Sequence, residues 1–190
     1  MGGPFLQLPH DGTALFAYGS LFCRGSLEQT LGRPYPLPLV VCRLRGWRRV
    51  WDVAMPNRTF FSDTSTGRLY PAGILYLNID RRAASWVNGV LIVAGAAELE
   101  LLDRREWIYA RQDVTNDVDG VSVSGRRVFA YVGKPEHRVS TGTSPAEVAV
   151  RASYLEIVEA GLVQLGTGFR ADYVRTTDPV PAGLVIKDRR

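Results

Sequence analysis

A chain of 190 residues, 46% hydrophobic and 22% charged, has the length and balance of one soluble globular domain with a sizeable core. No apolar run approaches the ~18–20 residues of a membrane-spanning helix, and the N-terminus lacks the basic start and apolar centre of a secretory signal. The net charge of +4 points to anionic partners without choosing between small acids and nucleic acid, while two cysteines and two histidines argue against a disulfide framework, a zinc site or a Ser-His-Asp triad.

Residues 1–13 read as a flexible leader, followed by a single domain over 14–190. Leu15-Phe16-Ala17-Tyr18 is a short apolar run and predicts a buried strand. Gly19-Ser20 then breaks it into a tight turn. Glycine there tolerates a positive φ and a close ligand, and successive N–H groups in such a turn form a nest for an anion. On local pattern alone, a plain strand-ending turn is the favoured reading. Ser26 to Leu31 predicts one or two helical turns, broken by Gly32-Arg33-Pro34. Pro34, Pro36 and Pro38 keep the next stretch extended.

Leu39 to Val53 predicts a strand. Arg43 and Arg45 alternate with Cys42 and Leu44, as on a half-exposed strand, and Gly46 allows a bulge. Arg48 and Arg49 are expected on the same outer face. The Arg–Trp mixture from Arg43 to Trp51 has the composition of a nucleic-acid surface. Its place on a strand's outer face weighs against that reading, and no nucleic-acid partner is expected. Ala54 to Gly67 is polar and reads as a loop. Two strands follow, Pro71 to Ile79 and Trp86 to Val93, with Gly73 and Gly89 marking bulges or a close approach.

Ala96 to Glu106 carries a short helix pattern. Leu99, Leu102 and Glu106 stand at i, i+3 and i+7 and share one face, with Glu98, Glu100, Arg104 and Arg105 off that stripe. Glu106 is thereby aimed inward. Burial disfavours a charged carboxylate and raises its pKa, which suits a proton carrier near neutral pH. The competing reading frays Glu106 into solvent or pairs it with Arg111. Strands are predicted over Trp107 to Val118 and Arg126 to Val132, with turn residues around Val118. Ser144-Pro145-Ala146-Glu147 predicts a capped helix start, continued by Val148, Leu155, Val158, Leu162 and Leu165 and stopped by Gly166 and Gly168. Ala171 to Arg190 reads as a short strand and an extended end. Cys23 follows the first turn but no histidine is placed to activate it, so it reads as a small buried residue.

Taken together, these stretches resemble the γ-glutamyl cyclotransferase-like superfamily. Phe16-Ala17-Tyr18-Gly19-Ser20-Leu21 resembles its opening motif. Gly46-Trp47-Arg48 is similar to its second-strand turn. Val87-Asn88-Gly89-Val90-Leu91, then Leu102-Asp103-Arg104-Arg105-Glu106, look like its central glycine-containing strand and acidic helix end, and Tyr109-Ala110-Arg111 like the Tyr-x-Arg that follows. Tyr154-Leu155-Glu156-Ile157-Val158 with Gly161 resembles a late helix. The ordered series covers roughly Ala14 to Tyr131, and order is more specific than any one motif.

The resemblance implies an α+β fold, a mixed β-barrel flanked by helices. It implies a catalytic acid/base at Glu106 and a substrate-binding loop of Tyr18, Gly19, Ser20 and Leu21, with Tyr154 adding a contact. Tyr109 reads either as a residue lining the pocket and orienting Glu106, or as strand core. The family often has glycine after the acidic residue where this chain has Trp107, which puts the substrate in doubt more than the reaction. The implied reaction is intramolecular: the α-amine of a γ-glutamyl group closes on its γ-carbonyl, releasing 5-oxoproline and an amine or amino acid. It needs no cofactor and no metal. The expected partner is a small γ-glutamyl compound in the cytoplasm, with no membrane partner; the leaving group and oligomeric state stay open. A non-catalytic module binding an acidic small molecule is the alternative in a different class.

Overall fold

A computed structural model describes residues 5–6, 12–57, 71–123, 127–140, 147–181 and 183–187. In chain order its strands and α-helices are β1 (Phe5–Leu6), β2 (Thr13–Ala17), α1 (Arg24–Leu31), β3 (Val40–Pro56), β4 (Gly73–Ala94), α2 (Ala96–Arg105), β5 (Tyr109–Asp113), β6 (Val118–Asp119), β7 (Ser122–Val123), β8 (Val128–Gly133), β9 (Val148–Arg151), α3 (Ala152–Leu165), α4 (Thr167–Thr176) and β10 (Val185–Ile186). Short 3₁₀ turns follow β2 at Ser20–Phe22 and precede β6 and β9.

The mixed sheet runs β10-β9-β4-β2-β8-β5, with β3 lying along β4 and β6 on β3; β1 pairs separately with β7. The sheet curls into a half-barrel with the helices around it. Its frame is the antiparallel pair of β3 and β4, in register from Val40 opposite Leu91 to Pro56 opposite Gly73. The other edge of β4 is divided. β9 takes its start at Gly73 and Ile74, and β2 takes its end from Val90 to Ala94. Between them no strand pairs with that edge among the described residues, and the turn after β2 enters there.

Several sequence expectations hold and several are corrected. β2 is buried throughout its core positions, Ala14 to Ala17. The strands expected at Pro71 to Ile79 and Trp86 to Val93 are one strand, β4. The polar stretch between them stays in the ladder and projects past the core, with 81–84 exposed. Gly46 does form a bulge, at φ 76°, and the register shifts between Arg45 and Trp47. One shifted residue sends every later side chain to the opposite face. Cys42 and Leu44 point in before the bulge; Trp47 and Arg49 point in after it. Arg49, expected outside, is therefore fully buried. Arg43, Arg45 and Arg48 face outward and pair with Asp172, Asp119 and Asp178. Ala54 to Pro56 belong to β3 rather than to a loop; 58–67 of that expected loop lie outside the described residues.

The largest corrections fall late in the chain. The helix expected from Ser144 begins at Ala152, because Val148–Arg151 is the buried strand β9, held between β4 and β10. The proposed cap at Ser144 and Pro145 lies outside the described residues. Gly166, at φ 89°, does end α3, but Gly168 sits inside α4, whose second half replaces the short strand expected from Ala171. Phe169 anchors α4, its ring edge-on to Phe22 at 5.5 Å. No helix among the described residues is long and apolar enough to cross a membrane.

Candidate active site

The divided edge of β4 opens into a cavity of about 300 Å³, at the lower end of ligand-pocket sizes. Every residue expected at the site lines it: Tyr18, Gly19, Ser20, Leu21, Glu106, Tyr109 and Tyr154.

The first wall is the turn after β2. Burial anchors Tyr18 on one side and Leu21 and Phe22 on the other, so the turn between is fixed at both ends. The Tyr18 hydroxyl donates to the Tyr131 carbonyl at 2.6 Å. Gly19 does not use the left-handed region that glycine tolerates: its φ is −127°. The approach there is close instead: a Cβ would lie 3.2 Å from the Tyr154 hydroxyl, which would have to give by a few tenths of an ångström. The 3₁₀ turn begins at Ser20, and the first N–H groups of such a turn have no partner within it.

The second wall is the end of α2. Glu98 accepts from the Gly95 N–H at 2.9 Å and closes the helix start, and Leu102 is completely buried. Glu106 is the C-cap, its N–H bonded to the Leu102 carbonyl at 2.8 Å, so the helix end does not fray. Its side chain is only 15% exposed. Burial raises the Glu106 pKa above the ordinary carboxylate value, and the Arg105 guanidinium 3.1 Å away partly opposes the rise. Arg111 pairs with Asp103 at 3.1 Å, which removes the alternative pairing with Glu106. The Tyr109 hydroxyl donates to the Leu77 carbonyl at 2.8 Å, and burial pushes its pKa well up, so it is a neutral donor lining the cavity.

Tyr154 comes from the first turn of α3, directly after β9. Its ring meets Tyr76 edge-on at 5.0 Å, and burial raises its pKa as well. Trp107 also lines the cavity, yet is 44% exposed and stands edge-on to His137 at 5.0 Å. It therefore forms part of the rim.

The sequence reading missed Arg105, placing it among the solvent charges of α2. Its guanidinium bonds the Ser20 hydroxyl at 2.9 Å, Ser26 at its carbonyl and hydroxyl (both 3.0 Å), and the Thr30 hydroxyl. It ties the end of α2 to α1 and to the cavity turn at once. Ser26 and Thr30, one turn apart on α1, were the available signal: two small hydroxyls make a cradle for a guanidinium. Tyr131, also missed, lines the cavity and donates to Asp103 at 2.7 Å. Cys23, expected to be buried, is half-buried, and Cys42 is buried; both are free thiols.

The arrangement is a small, largely apolar hollow with one carboxyl group of raised pKa and a backbone turn on its walls. Among solved structures the chain as a whole is similar in fold to an uncharacterized protein from Homo sapiens, with TM-score 0.60, 16% identity and coverage of 90% of this chain and 91% of that one. A γ-glutamyl cyclotransferase aligns with TM-score 0.58 at 16% identity over 92% and 93%. The chain has the γ-glutamyl cyclotransferase-like fold. A glutathione-specific γ-glutamyl cyclotransferase from yeast aligns with TM-score 0.53 at 14% identity over 87% and 93%. No protein-family model and no curated protein matches the chain by sequence. At these identities the likeness concerns the γ-glutamyl cyclotransferase-like fold, so chemistry has to be argued from this chain's own cavity.

Proposed function

We propose that the protein is a γ-glutamyl cyclotransferase acting on a small γ-glutamyl amide. The α-amine of the γ-glutamyl group attacks its own γ-carbonyl carbon. A new C–N bond closes the five-membered lactam, the old amide C–N bond breaks, and 5-oxoproline and an amine or amino acid leave. The nucleophile belongs to the substrate, so the protein has to fold the chain, accept a proton from the ammonium and return one to the departing nitrogen. Glu106 performs both transfers. The turn from Tyr18 to Leu21 holds substrate oxygens through backbone N–H groups, and Tyr109 and Tyr154 contribute neutral hydroxyls and aromatic wall.

What carries this reading is Glu106: a carboxyl group walled from bulk water, with a raised pKa, lining the same small cavity as the Tyr18–Leu21 turn. A protein that merely bound acidic molecules would gain nothing from a second negative charge there. The test is a panel of γ-glutamyl peptides, amino acids and amines, scored for 5-oxoproline by mass spectrometry with the parent and with Glu106→Gln. The substitution keeps size and removes the proton carrier, and turnover is expected to fall about 10²–10⁴-fold. Release of 5-oxoproline at the parent rate by Glu106→Gln would end the reading, as would no release from any substrate by the parent.

A further inference from the structure

Beneath the cavity turn lies a charge that this mechanism does not use. Arg49 is 0% exposed, carried inward by the bulge at Gly46. Its Nε donates to the Tyr18 carbonyl at 2.7 Å, Nη1 to the Thr177 hydroxyl at 2.6 Å, and Nη2 to the carbonyl and side-chain oxygen of Asn88. The Tyr173 ring stacks on its other side at 4.3 Å. All these partners are neutral, and no carboxylate pairs with Arg49 among the described residues. Burial draws its pKa down to about 10, so it still carries its charge at neutral pH.

A buried cation without a counter-ion is costly, and here only neutral acceptors offset that cost, so its field falls on them unscreened. The Tyr18 carbonyl and the Gly19 N–H belong to one peptide group. A charged donor on that carbonyl polarises the group and strengthens the Gly19 N–H as a donor, in a turn that lines the cavity. The field also reaches the turn through a medium of low dielectric. The cations that do line the cavity are placed differently: Arg105 is paired with Glu106, and Arg151 sits at the start of α3.

We propose that Arg49 is a positioning residue that gives the Tyr18–Leu21 turn its affinity for a carboxylate, acting through the Tyr18 peptide without touching the ligand. The inference rests on the γ-glutamyl reading, in which the anion is the substrate's α-carboxylate.

The test compares binding of L-glutamine, the simplest γ-glutamyl amide, with L-glutaminamide, which lacks the α-carboxylate. Calorimetry is run on the parent, Arg49→Met, Arg49→Gln and Arg49→Lys, with folding checked by circular dichroism. The parent is expected to prefer the acid about tenfold or more. Arg49→Met and Arg49→Gln lose that preference by weakening the acid alone, and Arg49→Lys retains it. A purely structural role would weaken both ligands equally, and that result overturns the proposal. So does a parent without preference for the acid, or an unchanged ratio in the neutral variants. If neither neutral variant folds, Arg49→Lys decides, since loss of the preference there shows that the charge is not its source. Acid preference in a parent that releases no 5-oxoproline would sink the cyclisation and leave this inference standing. Release of 5-oxoproline with an unchanged ratio would do the reverse.

Discussion

Gly89 is where a single methyl group should do most damage. It lies in β4 opposite Cys42, with β2 on its other side. A Cβ there would stand 2.4 Å from Cζ of Phe16 and 2.6 Å from the Ala17 carbonyl oxygen. Ordinary carbon–carbon contacts begin near ~3.5 Å and carbon–oxygen contacts near ~3.3 Å, so the methyl overlaps both neighbours deeply. Phe16 is a core residue, and Ala17 is fixed in the ladder opposite Val90. Neither can yield without moving β2. Replacing glycine in a strand returns about 0.5–1 kcal/mol through the backbone, whereas overpacking costs about 1–3 kcal/mol and occasionally more. With one of the two clashes against backbone, the cost lies at the top of that range and the net loss for Gly89→Ala should be about 2 kcal/mol. In a domain this size that corresponds to a Tm lower by roughly 4–8 °C. Urea unfolding followed by tryptophan fluorescence, with a thermal melt, measures it. Gly25→Ala is the control: nothing lies within 4 Å of a Cβ there, in α1, and it should be neutral or stabilising. A loss for Gly89→Ala below about 0.5 kcal/mol would refute the packing argument. Because Ala17 leads into Tyr18, the variant should also release 5-oxoproline more slowly under conditions where it remains folded.

The raised pKa of Glu106 has a thermodynamic consequence independent of catalysis. The folded state holds the proton to higher pH than the unfolded state, whose value is the ordinary one near 4.5. The group's contribution to stability is therefore complete below about pH 4.5 and is lost as pH rises through the folded pKa. Glu106→Gln does not titrate, so its stability relative to the parent should increase with pH across that window and then level off. Denaturant curves at several pH values decide this, and a flat or falling difference would contradict the buried carboxyl. For the thiols, burial pushes Cys42 up to about 12 and leaves it 3% exposed. A thiol-alkylating reagent at neutral pH should therefore label half-buried Cys23 in the native protein and reach Cys42 only in denaturant. Peptide mapping that finds both labelled at equal rates would be inconsistent with this core.

The amino-acid order alone carried the parts of the protein whose causes are local. The strand before Gly19, the bulge at Gly46, and the apolar face of α2 with Glu106 at its end each follow from a few adjacent residues. Tertiary structure decided what depends on a partner distant in the chain. Val148–Arg151 carries a helical pattern into α3 but is a strand, because β4 and β10 supply ladders on both sides. Arg49 reads as a surface charge until the register shift at Gly46 turns it inward, where Tyr18, Asn88 and Thr177 satisfy it. Arg105 reads as a solvent charge until α1 brings Ser26 and Thr30 beside it. A side chain's face is set by local periodicity, but whether that face meets water, a hydroxyl or a cavity is set by which elements the folded chain brings against it.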